Sequence, residues 1–72
     1  MTRQHFEAIA ITLGAQMRQY DQGPERQAIY TAARDLAINF SRFNPAFDTD
    51  RFMLFVLEVA ENRRDLTGKK VH

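Results

Sequence analysis

The stretch Phe43-Asn44-Pro45-Ala46-Phe47-Asp48-Thr49-Asp50-Arg51-Phe52 closes one amphipathic segment and opens another within ten residues. Asn44 precedes Pro45, whose ring disfavours the α region for its neighbour and removes a backbone donor, so the preceding helix must end here. Asp48 restarts the chain, because its carboxylate can accept from the free N–H groups of the next turn. Phe47 and Phe52 have the spacing of a hydrophobic staple across that cap. Arg51 stands where a reciprocal capping box would place Glu, so the cap is one-sided, and its spacing from Asp48 suits a local ion pair. The corner therefore joins two helices.

Working back from it, Ile29, Ala32, Ala33, Leu36, Phe40 and Phe43 recur at helical spacing and predict a helix over 24–43 with that side buried. Tyr30, Ala33 and Ala37 form a flanking strip of modest bulk, and Ile38 falls on the wet face. Pro24 suits a first helical position and Gly23 the end of the segment before it. That earlier segment carries Phe6, Ile9, Ala10, Leu13, Met17 and Tyr20 on one stripe, which predicts a helix over 3–20 capped by Thr2. Gly14 interrupts it at a cost of roughly 1 kcal/mol relative to Ala. Close approach of another backbone would offset that cost.

Beyond the corner a third helix is expected over 49–67, with Gly68 as its left-handed C-cap and Lys69 and Lys70 at the negative end of its dipole. Its first half, Phe52-Met53-Leu54-Phe55-Val56-Leu57, is apolar all round and has to be covered on more than one face. Phe52, Phe55, Val56 and Val59 can face the other helices. Leu54 and Leu57, with Met53 beside them, are left as a partner or dimer surface, unless the basic tail folds back over them through Leu66 and Val71. The fold class is all-α, a three-helix up-down-up bundle with a phenylalanine-rich core and short links. One domain over 1–67 followed by a short basic tail at 68–72 is the expected organisation.

The composition, 44% hydrophobic and 26% charged, is that of a folded globular chain. At 72 residues the core is marginal, which favours a homodimer or a partner. Ten Lys and Arg against nine Asp and Glu give no global field for nucleic acid or acidic lipid. The positive charge is local. Arg63, Arg64, Lys69 and Lys70 outnumber Glu61 and Asp65 and make residues 61–72 a possible phosphate contact, with a solvated helix end as the simpler reading. With no cysteine there is no disulfide and no thiolate metal site, and a reducing, cytoplasmic setting fits. No signal peptide is expected. The longest apolar run is six residues against the roughly 20 a membrane span needs, so no membrane association is expected either.

Catalytic groupings are sparse. His5 and His72 lie at opposite ends of the chain without ligand-spaced companions, so no metal or cofactor is expected. Ser41 is the only serine and lies on a helix without a strained turn to expose it. Asp48 and Asp50 are explained by the helix N-terminus they occupy. No small-molecule substrate is implied. A helix-turn-helix reading fails because the outward N-terminal half of the third helix offers only Thr49, Asp50 and Arg51 before six apolar residues.

The opening Thr2-Arg3-Gln4-His5-Phe6-Glu7 and the corner Asn44-Pro45-Ala46-Phe47-Asp48-Thr49-Asp50-Arg51-Phe52 resemble short proteins of bacteriophages, plasmids and related bacterial mobile elements. Their pattern is similar to T-R-x-H-F-E followed by N-P-x-F-D-x-x-R-F. The resemblance implies a mobile-element context inside a bacterial host cell and brings no catalytic residue. The expected function is non-enzymatic protein binding, as an accessory factor acting on a host protein through the third helix; the alternative is nucleic-acid binding by the basic C-terminal region.

Overall fold

Thr2 opens helix α1 (Arg3–Arg18), and its backbone N–H donates to Nδ1 of His5 at 3.1 Å, so an imidazole takes the place of the usual glutamate in the cap. The computed structural model describes residues 2–71, and His72 lies outside the described residues. Gly23, at φ 111°, turns the chain, and Pro24 starts helix α2 (Pro24–Phe43). Asp48 caps helix α3 (Thr49–Ala60), its carboxylate accepting from the N–H of Arg51 at 2.9 Å. These elements form an all-α three-helix bundle. No helix of the described residues is long and apolar enough to cross a membrane.

The largest interface is between α1 and α3. Ala10, Gly14 and Met17 on α1 are buried, as are Phe52, Val56, Val59 and Ala60 on α3. Gly14 permits this approach: a Cβ there would lie 2.6 Å from Cβ of Val59 and 2.7 Å from the carbonyl oxygen of Val56. The expected compensation for a helix glycine is thus found, since the neighbouring backbone occupies the space a side chain would need.

Helix α2 departs from its predicted face. Ala33 and Ala37 are the fully buried pair, while Ala32 and Leu36 are exposed and Phe43 is 89% exposed. The face is rotated toward the strip of modest bulk because α1 and α3 lie so close that small side chains fit the remaining seat best. The core is correspondingly small-residue rich: among the described residues four of its eight buried hydrophobics are alanine, and Phe52 is the one buried phenylalanine. Ile38 is exposed, as its position on the helix predicts.

Helices α1 and α3 end earlier than predicted, at Arg18 and at Ala60. The difference is large only for α3. Asn62 adopts φ 63°, its N–H donates to Val59 O, and the N–H of Arg63 donates to Glu58 O at 2.8 Å, which is a Schellman closure with Asn in the left-handed position. Gly68, expected as the C-cap, has φ 90° for another reason: it closes a hairpin over 63–71. There Gly68 N–H donates to Asp65 O, Asp65 N–H to Lys69 O, and Val71 N–H to Arg63 O. Residues 68–71 therefore belong to a folded-back hairpin and do not trail as a separate tail.

Gly14→Ala tests the packing against helix propensity, since alanine is the better helix former by roughly 1 kcal/mol. Overpacking against an immovable backbone should win and cost about 1–3 kcal/mol net. A thermal melt should show a lower midpoint. An unchanged or raised midpoint would mean that α1 and α3 can separate freely.

Candidate functional site

Four phenylalanines gather where the corner meets the start of α1. Phe6 lies 5.0 Å from Phe40 and 4.6 Å from Phe47 between ring centroids, and Phe47 lies 5.5 Å from Phe52. The local chain positions them. Asn44 Oδ1 accepts from Ala46 N–H at 3.1 Å and its carbonyl accepts from Phe47 N–H at 2.9 Å, which tightens the link and aims Phe47 inward. Tilted and edge-on pairs of this kind add about 0.5–1.5 kcal/mol each beyond their burial. The expected Phe47–Phe52 staple is thereby part of a cluster that ties all three helices at one end.

Beside the cluster, residues of α1 and of α3 with its flanking segments line two adjoining recesses. One, of about 330 Å³, is floored by Phe6, Phe47, Phe52 and Phe55. The other, of about 280 Å³, is bordered by Leu54, Glu58, Arg64 and Lys70. Arg3, Glu7, Arg51 and Phe55 line both. Arg3 pairs with Glu7 at 3.2 Å on the exposed rim. The expected Asp48–Arg51 ion pair is not formed: Asp48 takes the backbone N–H of Arg51, and the Arg51 side chain makes no ion pair among the described residues.

Arg64 forms the far wall. Its Nε meets Glu58 Oε1 at 3.1 Å, its Nη1 donates to Gly68 O at 2.7 Å, and its guanidinium carbon lies 4.2 Å from the centroid of Phe55. The hairpin is thus pinned to α3 by a half-buried cation. Gly68 brings the backbone onto Phe55 and Ile11, where a Cβ would meet ring and methyl atoms at 3.2 and 3.3 Å. Arg18 adds a second tie, donating to Val59 O at 2.6 Å and to the carbonyl of Arg64. In the turn itself the Asp65 carboxylate accepts from the hydroxyl and N–H of Thr67 and from Lys69 N–H. Those bonds, the Thr67 hydroxyl foremost, hold its pKa below the ordinary 3.8.

The residues singled out by sequence divide accordingly. Of the apolar trio, Leu54 is 52% exposed on the groove rim, whereas Met53 and Leu57 are half-buried against the core. The tail does fold back, but it covers Phe55 through Arg64 and Gly68; Leu66 and Val71 remain exposed. Among the four tail cations, Arg64 is spent on internal contacts, Arg63 pairs with Glu61 at 2.7 Å, and Lys69 and Lys70 are exposed. His5 serves the α1 cap, and Ser41 Oγ donates to Ile38 O at 2.6 Å. Sequence reasoning missed the roles of Arg3, Glu7 and Phe6 as one wall of a groove. Their helical spacing opposite Arg51 and Phe55 has meaning once α1 and α3 are known to be neighbours, and their place in the opening motif gives no role by itself. No known protein family, curated protein or solved structure matches this chain.

Two outcomes follow from the Arg64 hub and the Asp65 turn. Arg64→Ala should cost about 1–3 kcal/mol, because Glu58 and the Gly68 carbonyl lose their donor together. Amide exchange should then accelerate at Asp65 and Val71 while α2 stays protected; uniform protection would show that the hairpin is held by something else. For Asp65, the lowered pKa means its stabilising bonds are fully present above 3.8 and are lost as pH falls through the lower folded value. The amide shifts of Thr67 and Lys69 should titrate with a midpoint below 3.8, and a midpoint at or above that value would contradict the hydrogen-bonded turn.

Proposed function

We propose that this chain is a non-enzymatic protein-binding module, working in the cytoplasm of a bacterial host as an accessory factor of a phage or mobile element. Its partner is a host protein or a second copy of itself. The observation that carries this reading is Leu54, a large apolar side chain half exposed on the rim of the groove between α1 and α3, above a floor of phenylalanine. Exposed apolar groups that adjoin a concave aromatic surface offer the buried anchor and pocket that protein interfaces depend on. The resemblance of residues 2–7 and 44–52 to mobile-element proteins supports the setting. Both of those segments border the groove, through Arg3, Phe6 and Glu7 on one side and Phe47, Asp48 and Arg51 on the other. The roles found for His5 in a helix cap and Ser41 in a backbone bond support a binding function over nucleophilic chemistry.

Leu54→Lys is the direct probe, because Leu57 and Met53 also contribute packing and their loss would confuse folding with binding. Tagged wild-type protein should retain a partner from nuclease-treated bacterial lysate, or sediment as a dimer, and the variant should lose that association with its circular dichroism unchanged. Recovery that requires intact nucleic acid and disappears in moderate salt would refute the reading.

A further inference from the structure

The groove has a charge pattern as well as an apolar floor. In the recess beside Leu54 both carboxylates are paired with cations, Glu7 with Arg3 at 3.2 Å and Glu58 with Arg64 at 3.1 Å, while Asp48, which borders only the adjoining recess, accepts the backbone N–H of Arg51 and keeps its charge. Arg51 and Lys70 are left, two exposed cations with no carboxylate partner among the described residues, bordering the same recess as Leu54. The adjoining recess has aromatic walls and room for one large side chain.

From this we infer that the groove receives a peptide segment of a partner protein in which a bulky apolar residue is followed or preceded by Asp or Glu. The apolar residue fills the recess over Phe6 and Phe55, and the carboxylates meet Arg51 and Lys70. The inference rests on the protein-binding reading and names the chemistry of the partner. Charge complementarity chooses the occupant: a basic segment would face two unneutralised cations, and a purely apolar one would leave both desolvated and unpaired. Nucleic acid fits less well, because two unpaired cations neutralise few phosphates.

The test is selection of a random displayed-peptide library on the immobilised full chain, repeated on Arg51→Glu, Lys70→Glu and on Arg51→Gln, Lys70→Gln. Both positions are exposed, and circular dichroism verifies that each variant is folded. The wild type should enrich peptides with an aromatic or leucine residue beside Asp or Glu. Their affinity should fall on the order of tenfold or more in the charge-reversed variant and by less in the glutamine variant. The charge-reversed protein should select Lys- or Arg-bearing peptides instead. Enrichment of apolar peptides without acidic bias, or indifference to the substitutions, overturns the inference and leaves protein binding standing. An absence of enriched peptides overturns it too; if labelled single-stranded or duplex DNA then binds at low salt, the protein-binding reading falls with it.

Discussion

The approach of α1 to α3 at Gly14 sets the rest of the structure. With Val59 and the Val56 carbonyl lying where a side chain would be, the two helix backbones pack nearly in contact at this level. The residues preceding Gly14 on the same stripe are Ala10 and Phe6, each one helical turn further toward the N-terminus and each larger than the last. The seam is shut at Gly14, and at its Phe6 end the ring of Phe6 packs on Phe47, which packs in turn on Phe52. The groove lies at that aromatic end of the seam, away from the close approach at Gly14.

The closed end is finished by arginines acting on backbone. Helix C-termini leave carbonyls without intrahelical partners and carry the negative end of the dipole, so a guanidinium with several donors suits them. Arg26 donates to Met17 O and Tyr20 O at the end of α1, and Arg18 donates to Val59 O at the end of α3. Arg64 then joins the hairpin to α3 while covering Phe55. Of the four cations that stand out in residues 61–72, Arg64 is therefore architectural, Arg63 is exposed and pairs with Glu61 at the surface, and of the exposed Lys69 and Lys70 only Lys70 borders the groove.

Much of the local chemistry was legible from neighbours in sequence, although the Asp48–Arg51 ion pair that the same spacing suggests is not formed. Asn44-Pro45, the Asp48 cap, the Phe47–Phe52 staple and the Gly23-Pro24 turn all need only a few adjacent residues, and all are found. Gly14 was legible as a close approach but not as to which backbone approaches. The misread end of α3 has a physical reason. Glu61, Arg63 and Arg64 are good helix formers, and the stop falls on Asn62, a residue that tolerates the left-handed turn and is followed by the hairpin and its Arg64 contacts. Asp65-Leu66-Thr67-Gly68 did carry a signal, an acceptor at the first turn position and glycine at the left-handed one. The α2 face was misread because periodicity weights bulk, whereas a seat beside two nearly touching helices weights smallness.

That same preference for small side chains explains how the apolar residues are distributed. Ala33 and Ala37 let α2 settle onto the α1–α3 pair, Ile29, Tyr30 and Phe40 flank that seat half-buried, and Leu36, Ile38 and Phe43 are left exposed. Their exposure follows from how α2 is seated, so by itself it argues for no partner. Leu54 is in a different position. It lies beside a concave aromatic surface and two cations that no carboxylate of the described residues neutralises, and α3 could have carried a polar residue there at no cost to the core. Apolar exposure that close packing forces belongs to the fold. Apolar exposure that packing does not require, combined with unneutralised charge around a recess, is what a binding surface needs, and among the described residues the two coincide along the α1–α3 groove.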